Sequence, residues 1–179
     1  MNNTTLTLKM KRAISELRSG GKVVISDNSF GTSVLLMSAE LIEKESVSKL
    51  SDLALSRPNI ILSNNRCNAI GIEVSNQPCS ILIENNWTMN DILSLCMPLT
   101  GHKIPTINGV ISENNTSIIY YCLLILRQSR LLPAGLMSII SNVAPEKINQ
   151  WTFKNNFIHV DVNDICLLYT SDAADEVAG

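Results

Sequence analysis

The order of apolar patterns along this chain constrains its fold more than any other feature of the sequence. Short apolar runs of strand character alternate with segments whose apolar residues recur at helical spacing, and Gly, Pro, Asn or Asp separates them. Met10, Ala13 and Leu17 share one helical face, and a β-branched run begins at Val23, after Gly20. Alternating helices and strands bury their apolar faces against each other. We therefore predict an α/β fold, a single domain in which helices pack on a mixed sheet.

The same patterns place the individual elements. Helices are predicted over residues 10–17, 47–54, 88–96 and 117–129, with a helical turn over 66–70. Strands are predicted over residues 22–26, 34–39, 59–63, 79–83, 134–140 and 157–160. Residues 99–107 form a predicted loop, and Asp161 is expected to cap a further helix. The strand over 134–140 is apolar on both faces, which predicts a buried position in the sheet.

Composition and charge limit the class of partner. The 179 residues are 45% hydrophobic and 17% charged, with a formal net charge of -2. Basic residues are scattered apart from a short cluster within residues 9–18, which we interpret as a solvated helix face, so no nucleic-acid partner is expected. The longest apolar run, Ile118–Leu126, is far shorter than the roughly 20 residues that cross a bilayer, so no membrane partner is expected. Residues 1–9 show no secretory pattern, which predicts a cytoplasmic protein.

The cysteines lack the spacing of a metal or disulfide site. They occur singly in apolar or amphipathic contexts, at Cys67, Cys79, Cys96, Cys122 and Cys166. Cys67 follows Arg66, but no histidine lies near it in sequence to form a nucleophile pair. We therefore predict that all five are reduced, packed thiols and that none binds a metal.

The remaining candidates for chemistry do not converge. Asp27 is the only carboxylate between Val23 and Ala39, in a turn of the kind that often carries function. His102 lies on a loop framed by Gly and Pro without acidic neighbours, and His159 alternates within a strand as a partly exposed or hydrogen-bonded residue would. Two further acids, Asp161 and Asp164, are expected to lie at a helix start. No catalytic, cofactor-binding or metal-binding residue is predicted.

Three stretches in a fixed order carry a family resemblance. They are "RAISELRSGGKVVISD", "LLMSAELIEKESVSKLSDLALSRPNIILSNNRCNAIGI" and "LLPAGLMSII". Together they resemble the 3,4-dihydroxy-2-butanone 4-phosphate synthase family of riboflavin biosynthesis, over about residues 10–165. The resemblance implies the fold of these enzymes. Active members are homodimeric, magnesium-dependent lyases that convert ribulose 5-phosphate to 3,4-dihydroxy-2-butanone 4-phosphate and formate.

The chain departs from this family at the active-site motifs. The family's Arg-Glu-Asn-Glu-Gly-Asp-Leu corresponds here to residues 29–35, where Phe30 takes the place of the magnesium-binding Glu. The family's Gly-His-Thr-Glu corresponds to residues 117–120, where Ile118 takes the place of the magnesium-binding His. A further family Glu corresponds to Ile139. These substitutions predict that the magnesium site is lost.

The substituted side chains lack the chemistry of the reaction. Phe30 and Ile118 offer no oxygen or nitrogen ligand to a magnesium ion, and Val34 and Ile139 cannot transfer protons. Unpaired polar groups are costly to bury, whereas apolar ones are not. We therefore expect a filled or closed pocket where the lyase site would be.

The resemblance is strongest to one degenerate subgroup of the family. "SRLLPAGLMSII" and "FIHVDVNDI" are similar to the N-terminal domain of alphaproteobacterial-type GTP cyclohydrolase II proteins. Residues 1–165 are accordingly predicted to be a noncatalytic, dimerising N-terminal domain. Besides a second copy of itself, the expected partner of this domain is the missing cyclohydrolase domain, which alone is expected to bind zinc. The intact gene product would be an enzyme. Residues 166–179 contain "CLLYTSDAADE", which resembles a translated sequencing adapter, so we expect a non-native tail.

Two other functions remain open from the sequence. An active lyase would need unfamiliar residues, with Asp27, Glu40 and His102 meeting in one cleft. A nucleotide- or RNA-binding module of similar topology would need a basic surface.

Overall fold

One mixed sheet organises the chain. The computed structural model describes residues 3–74, 77–98, 103–111 and 116–167. In chain order its strands are β1 (Val23–Asp27), β2 (Thr32–Ser38), β3 (Asn59–Leu62), β4 (Cys79–Leu82), β5 (Val110–Ile111), β6 (Ala134–Ile139) and β7 (Ile158–Asp161). Within the described residues they form a seven-stranded sheet in the order β5-β4-β3-β6-β2-β1-β7. All neighbours are antiparallel except β1 and β7, which are parallel.

Helices cover both faces of the sheet. They are α1 (Asn3–Arg18), α2 (Ser46–Ala54), α3 (Asn64–Ala69), α4 (Met89–Cys96), α5 (Thr116–Gln128) and α6 (Ile148–Lys154). Short 3-10 helices occupy Ala39–Leu41 and Pro145–Lys147, and residues 162–167 are helical. Among the described residues, no helix combines the length and apolarity needed to cross a bilayer.

Side-chain alternation along the strands divides the core into two clusters. The first lies under α1 and α5 and includes Leu17, Ile25, Val34, Ile125 and Met137. The second lies under α2, α3 and α4 and includes Val24, Leu35, Leu50, Leu95 and Leu136. Neighbouring strand residues such as Val24 and Ile25 thus point to opposite clusters, as the period of two in a strand requires.

The structure confirms the predicted fold class and extends the predicted elements. Each predicted helix and strand is present to within a few residues, except that α1 begins at Asn3. The predicted cap is also present, because the Asp161 carboxylate accepts the backbone N–H of Asn163 at 2.9 Å. Residues 99–102 of the predicted loop lie outside the described residues. The sequence patterns did not predict β5, which has two residues, or α6, whose start has no side-chain cap.

Gly135 lies in the central strand because a larger residue does not fit there. A Cβ atom at this position would lie 2.8 Å from the carbonyl oxygen of Met37 and 3.0 Å from a methyl group of Leu126. The first contact is with backbone of the neighbouring strand, which cannot move aside without breaking the sheet. Gly135 therefore sets how closely β2 and α5 approach β6.

Gly135→Ala is expected to destabilise the protein by about 1–3 kcal/mol, because the added methyl group overpacks a filled core. The free energy of unfolding is measured by urea denaturation. Gly109→Ala is the matched control, since a Cβ there meets nothing within 4 Å, and its effect should stay within roughly 0.5 kcal/mol. Equal stability of the two variants would contradict this view of the β6 packing.

Candidate functional site

The positions that match the family's catalytic motifs come together at one end of the sheet. The β1–β2 turn lies there, and Val34 at the start of β2 pairs with Ile139 at the end of β6. The first half of α5 is close by, because its Ile118 and Ile119 belong to the same buried cluster as Val34. The fold therefore places the matched positions where a shared site would form.

Hydrocarbon fills this end of the sheet. Val34, Ile118 and Ile119 are 0%, 2% and 1% exposed and belong to one cluster, against which the partly buried Ile139 packs. Magnesium requires oxygen ligands in near-octahedral arrangement, and none of these side chains supplies one. In the part of the chain that the structure describes, no group of three or more His, Cys, Asp or Glu residues is arranged to hold a metal ion. The residues present do not fit the magnesium ion of the fold's enzymes.

Phe30 does not take part in this filling. It lies in the β1–β2 turn and is 75% exposed. Gly31 follows it with a φ of +63°, a conformation that glycine adopts without strain. The turn therefore directs Phe30 to solvent, and the expected filled pocket is built by strand and helix residues alone.

The two acids that the active-lyase alternative requires have structural contacts at opposite ends of β2. Asp27 is 4% exposed, and its carboxylate accepts the backbone N–H of Ser29 at 3.0 Å, which shapes the turn. Glu40 accepts the backbone N–H of Leu132, beyond the far end of the strand. Asp27 pairs with Thr32, so at about 3.3 Å per residue the two carboxylates lie roughly 25 Å apart. The cleft required by the active-lyase alternative does not form between them, and His102 lies outside the described residues.

A group of hydrogen-bonded polar residues lies at the edge of the sheet formed by β1 and β7. The Ser26 hydroxyl lies 2.7 Å from His159 Nε2, and His159 Nδ1 lies 2.7 Å from the Asn149 side-chain oxygen. The parallel register places Ser26 beside Asp161, whose carboxylate accepts a longer hydrogen bond from the same hydroxyl at 3.4 Å. The order hydroxyl, imidazole, amide is that of a nucleophile, its base and an orienting group. Ser26 is only 1% exposed, however, so a substrate cannot reach its oxygen.

Asp161 at the end of β7 and Asp164 in the helix that follows link this part of the chain to other elements. Asp161 accepts a hydrogen bond from the Asn28 side-chain amide at 2.6 Å, in addition to capping the helix over residues 162–167. Asp164 forms an ion pair with Lys9 on α1 at 2.9 Å. Both acids lie at a helix start, as the sequence predicts, and both also bind across the fold.

The prediction that all five cysteines are reduced is wrong for one pair. Cys67 and Cys79 form a disulfide bond. The reason is topological: Cys79 pairs with Leu62 at the end of β3, and α3 follows β3 so closely that Cys67 returns over the start of β4. A separation of 12 residues in sequence gives no sign of this return.

The other buried cysteines are inert, and the Arg66 side chain is already engaged. Cys96 and Cys122 are buried free thiols, and burial raises the pKa of Cys96 to about 12 despite the nearby Arg66 charge. Burial also raises the pKa of Cys122. The Arg66 guanidinium donates to the carbonyls of Ser94, Leu95 and Met97, where it caps the end of α4.

Burial, followed by the Lys9 charge, lowers the pKa of His159, while Asp161 and Asp164 oppose the shift. Because an unfolded histidine titrates near 6.5, the unfolded chain binds the proton first as the pH falls. Stability should therefore decline as the pH falls through about 6.5, and His159→Gln should reduce this decline. Urea denaturation midpoints at pH 7.5 and 5.5 measure the difference. Identical pH dependence of the two proteins would contradict the assignment.

Comparison with known proteins shows similarity in structure but not in sequence. No family model and no curated protein sequence matches the chain. A 3,4-dihydroxy-2-butanone 4-phosphate synthase from Candida albicans superimposes with a TM-score of 0.66 at 15% identity, over 89% of this chain and 96% of that one. A cation-free form of such a synthase gives a TM-score of 0.69 at 10% identity, over 90% and 97%.

A two-domain member from A. baumannii gives a TM-score of 0.64 at 13% identity, with 87% of this chain covering 56% of that one. The superpositions establish the fold, and sequence identities this low leave the activity open. The chain has the fold of the 3,4-dihydroxy-2-butanone 4-phosphate synthases.

Proposed function

We propose that this chain is a noncatalytic domain of the synthase fold that serves a protein of riboflavin biosynthesis. One observation carries the proposal. The positions that correspond to the family's acids and histidine include Val34, Ile118 and Ile139, and these residues belong to or pack against one buried apolar cluster. A lyase reaction needs a metal to polarise the sugar phosphate and groups that titrate to move protons. This cluster supplies neither.

The place of the domain in a larger protein rests on the sequence resemblance. "SRLLPAGLMSII" covers the loop after α5 and the whole of β6, and "FIHVDVNDI" covers β7 and helical residues after it. Both stretches resemble the N-terminal domain of GTP cyclohydrolase II proteins. We infer that residues 1–165 fold as such a domain beside a zinc-dependent cyclohydrolase domain, and that residues 166–179 are a non-native tail.

Incubation with ribulose 5-phosphate and magnesium is expected to release no formate above the rate without protein, because Phe30 and Ile118 offer no ligand to the ion and Val34 and Ile139 cannot transfer a proton. Formate is measured by a coupled dehydrogenase assay, with an active synthase as the positive control. Asp27→Asn is the matched variant, since it removes the carboxylate at the end of β1, beside the turn that matches the family's first motif. Formate release that this variant abolishes would overturn the proposal.

Self-association is part of the proposed role, because active members of the resembled family are homodimers. Light scattering on a purified sample should give about twice the chain mass of 19.7 kDa. Dilution over two orders of magnitude serves as the control, since a specific dimer dissociates to a single smaller species. A constant mass of one chain at every concentration would contradict a dimerising role.

A further inference from the structure

A cavity of about 850 Å³ lies between α2 and α4, on the sheet face opposite α1 and α5. Its position is independent of the degenerate lyase site. Pro58 and Ile83 form its floor at the ends of β3 and β4, where the Ile83 N–H donates to the Pro58 carbonyl at 3.2 Å. Val47 on α2 and Ile92 on α4 face each other across it. Its volume is in the range of small-molecule sites, roughly 300–1,000 Å³.

Trp87 gives the cavity an aromatic wall. Its indole is half-buried and packs against the apolar cluster below. The backbone around it is fixed, because the Trp87 N–H donates to the Glu84 carbonyl at 3.1 Å and a capping box between Thr88 and Asp91 follows. The Asp91 carboxylate binds the backbone and hydroxyl of Thr88, each at 2.7 Å, and does not line this cavity. The backbone that carries the indole is therefore held in place, and the Asp91 carboxylate beside it is already engaged by Thr88.

Two cations line the same cavity. Arg57 donates from Nη2 to the Ile83 carbonyl at 2.9 Å and to the Asn85 side chain at 3.3 Å, which leaves its other N–H groups available. Neither Arg57 nor Lys44 has a carboxylate partner among the described residues. Glu84 is the one acid in the lining and accepts a hydrogen bond from the Asn108 side chain instead. The lining therefore carries an excess of one positive charge.

The geometry points to a binding site for a small flat organic anion, an aromatic ring that bears one acidic group. The ring lies against Trp87 and the aliphatic side chains of Val47 and Ile92, where contact removes apolar surface of both partners from water. The acidic group binds Arg57 and Lys44, because a charged oxygen acceptor strengthens the hydrogen bonds that these donors make. A single negative charge matches the excess charge of the lining. Binding at this site does not depend on the lyase or the cyclohydrolase reaction.

Isothermal titration calorimetry with 2-naphthoate and 2-naphthamide tests the site. The two probes share the same ring system and differ in charge. We expect 2-naphthoate to bind once per chain, and 2-naphthamide to bind at least roughly tenfold more weakly, because it lacks the charge-assisted contacts. Absence of saturable binding by 2-naphthoate, or equal affinity for the two probes, would overturn the proposal.

Variants separate the charge from the ring. Arg57→Gln and Lys44→Gln should each weaken 2-naphthoate binding by roughly three- to tenfold and leave 2-naphthamide binding unchanged. Lys49→Gln is the matched control, because Lys49 lies on α2 between Lys44 and Arg57 in the chain but pairs with Glu45 and does not line the cavity. Trp87→Ala should weaken both probes. Circular dichroism verifies that each variant is folded, and a folded Arg57→Gln, Lys44→Gln pair with wild-type affinities would refute the assignment.

Discussion

The packing of β6 is the constraint on which the rest of the structure depends. This strand pairs with β2 on one side and β3 on the other, and residues on its two faces enter the two separate core clusters. Gly135 allows β2 and α5 to approach it closely. The chain enters β6 directly from α5 through a loop whose Leu132 N–H is bound by Glu40. Because β6 is fixed at both edges and both faces, it constrains where α5 ends and which residues surround the far end of β6.

At that far end, apolar side chains occupy the positions matched to the family's polar motifs. Ile139 lies beside Val34, under the helix that carries Ile118, so the three positions share one environment whatever residues occupy them. A buried polar group without a partner costs about 1–3 kcal/mol. Once the metal is no longer bound, carboxylates and an imidazole at these positions would lack a partner, and apolar residues remove that cost. The hydrocarbon cluster both excludes the ion and extends the core that holds α5 on the sheet.

Local patterns were sufficient for most of the fold, and contacts distant in sequence account for the rest. The face shared by Met10, Ala13 and Leu17 predicts α1, and the apolar run from 134 predicts a buried strand, because periodicity is a local property. Ser26 and His159 meet only because β7 lies parallel to β1, and they are 133 residues apart. The disulfide depends likewise on the return of α3 over β4, and the cavity on the spacing between α2 and α4.

Catalysis requires reactive groups and access to them, and the three places described here differ in which they have. At the positions matched to the family's motifs, Phe30, Val34, Ile118 and Ile139 supply neither a metal ligand nor a base. The hydrogen bonds that link Ser26, His159 and Asn149 have the order of a catalytic relay, but the Ser26 side chain is buried away from solvent. The cavity between α2 and α4 is open and charged, and its lining contains no histidine or cysteine to act as a base or nucleophile. In the proposed site, positive charge beside an aromatic wall would hold an anion without a lining group to act as its base or nucleophile.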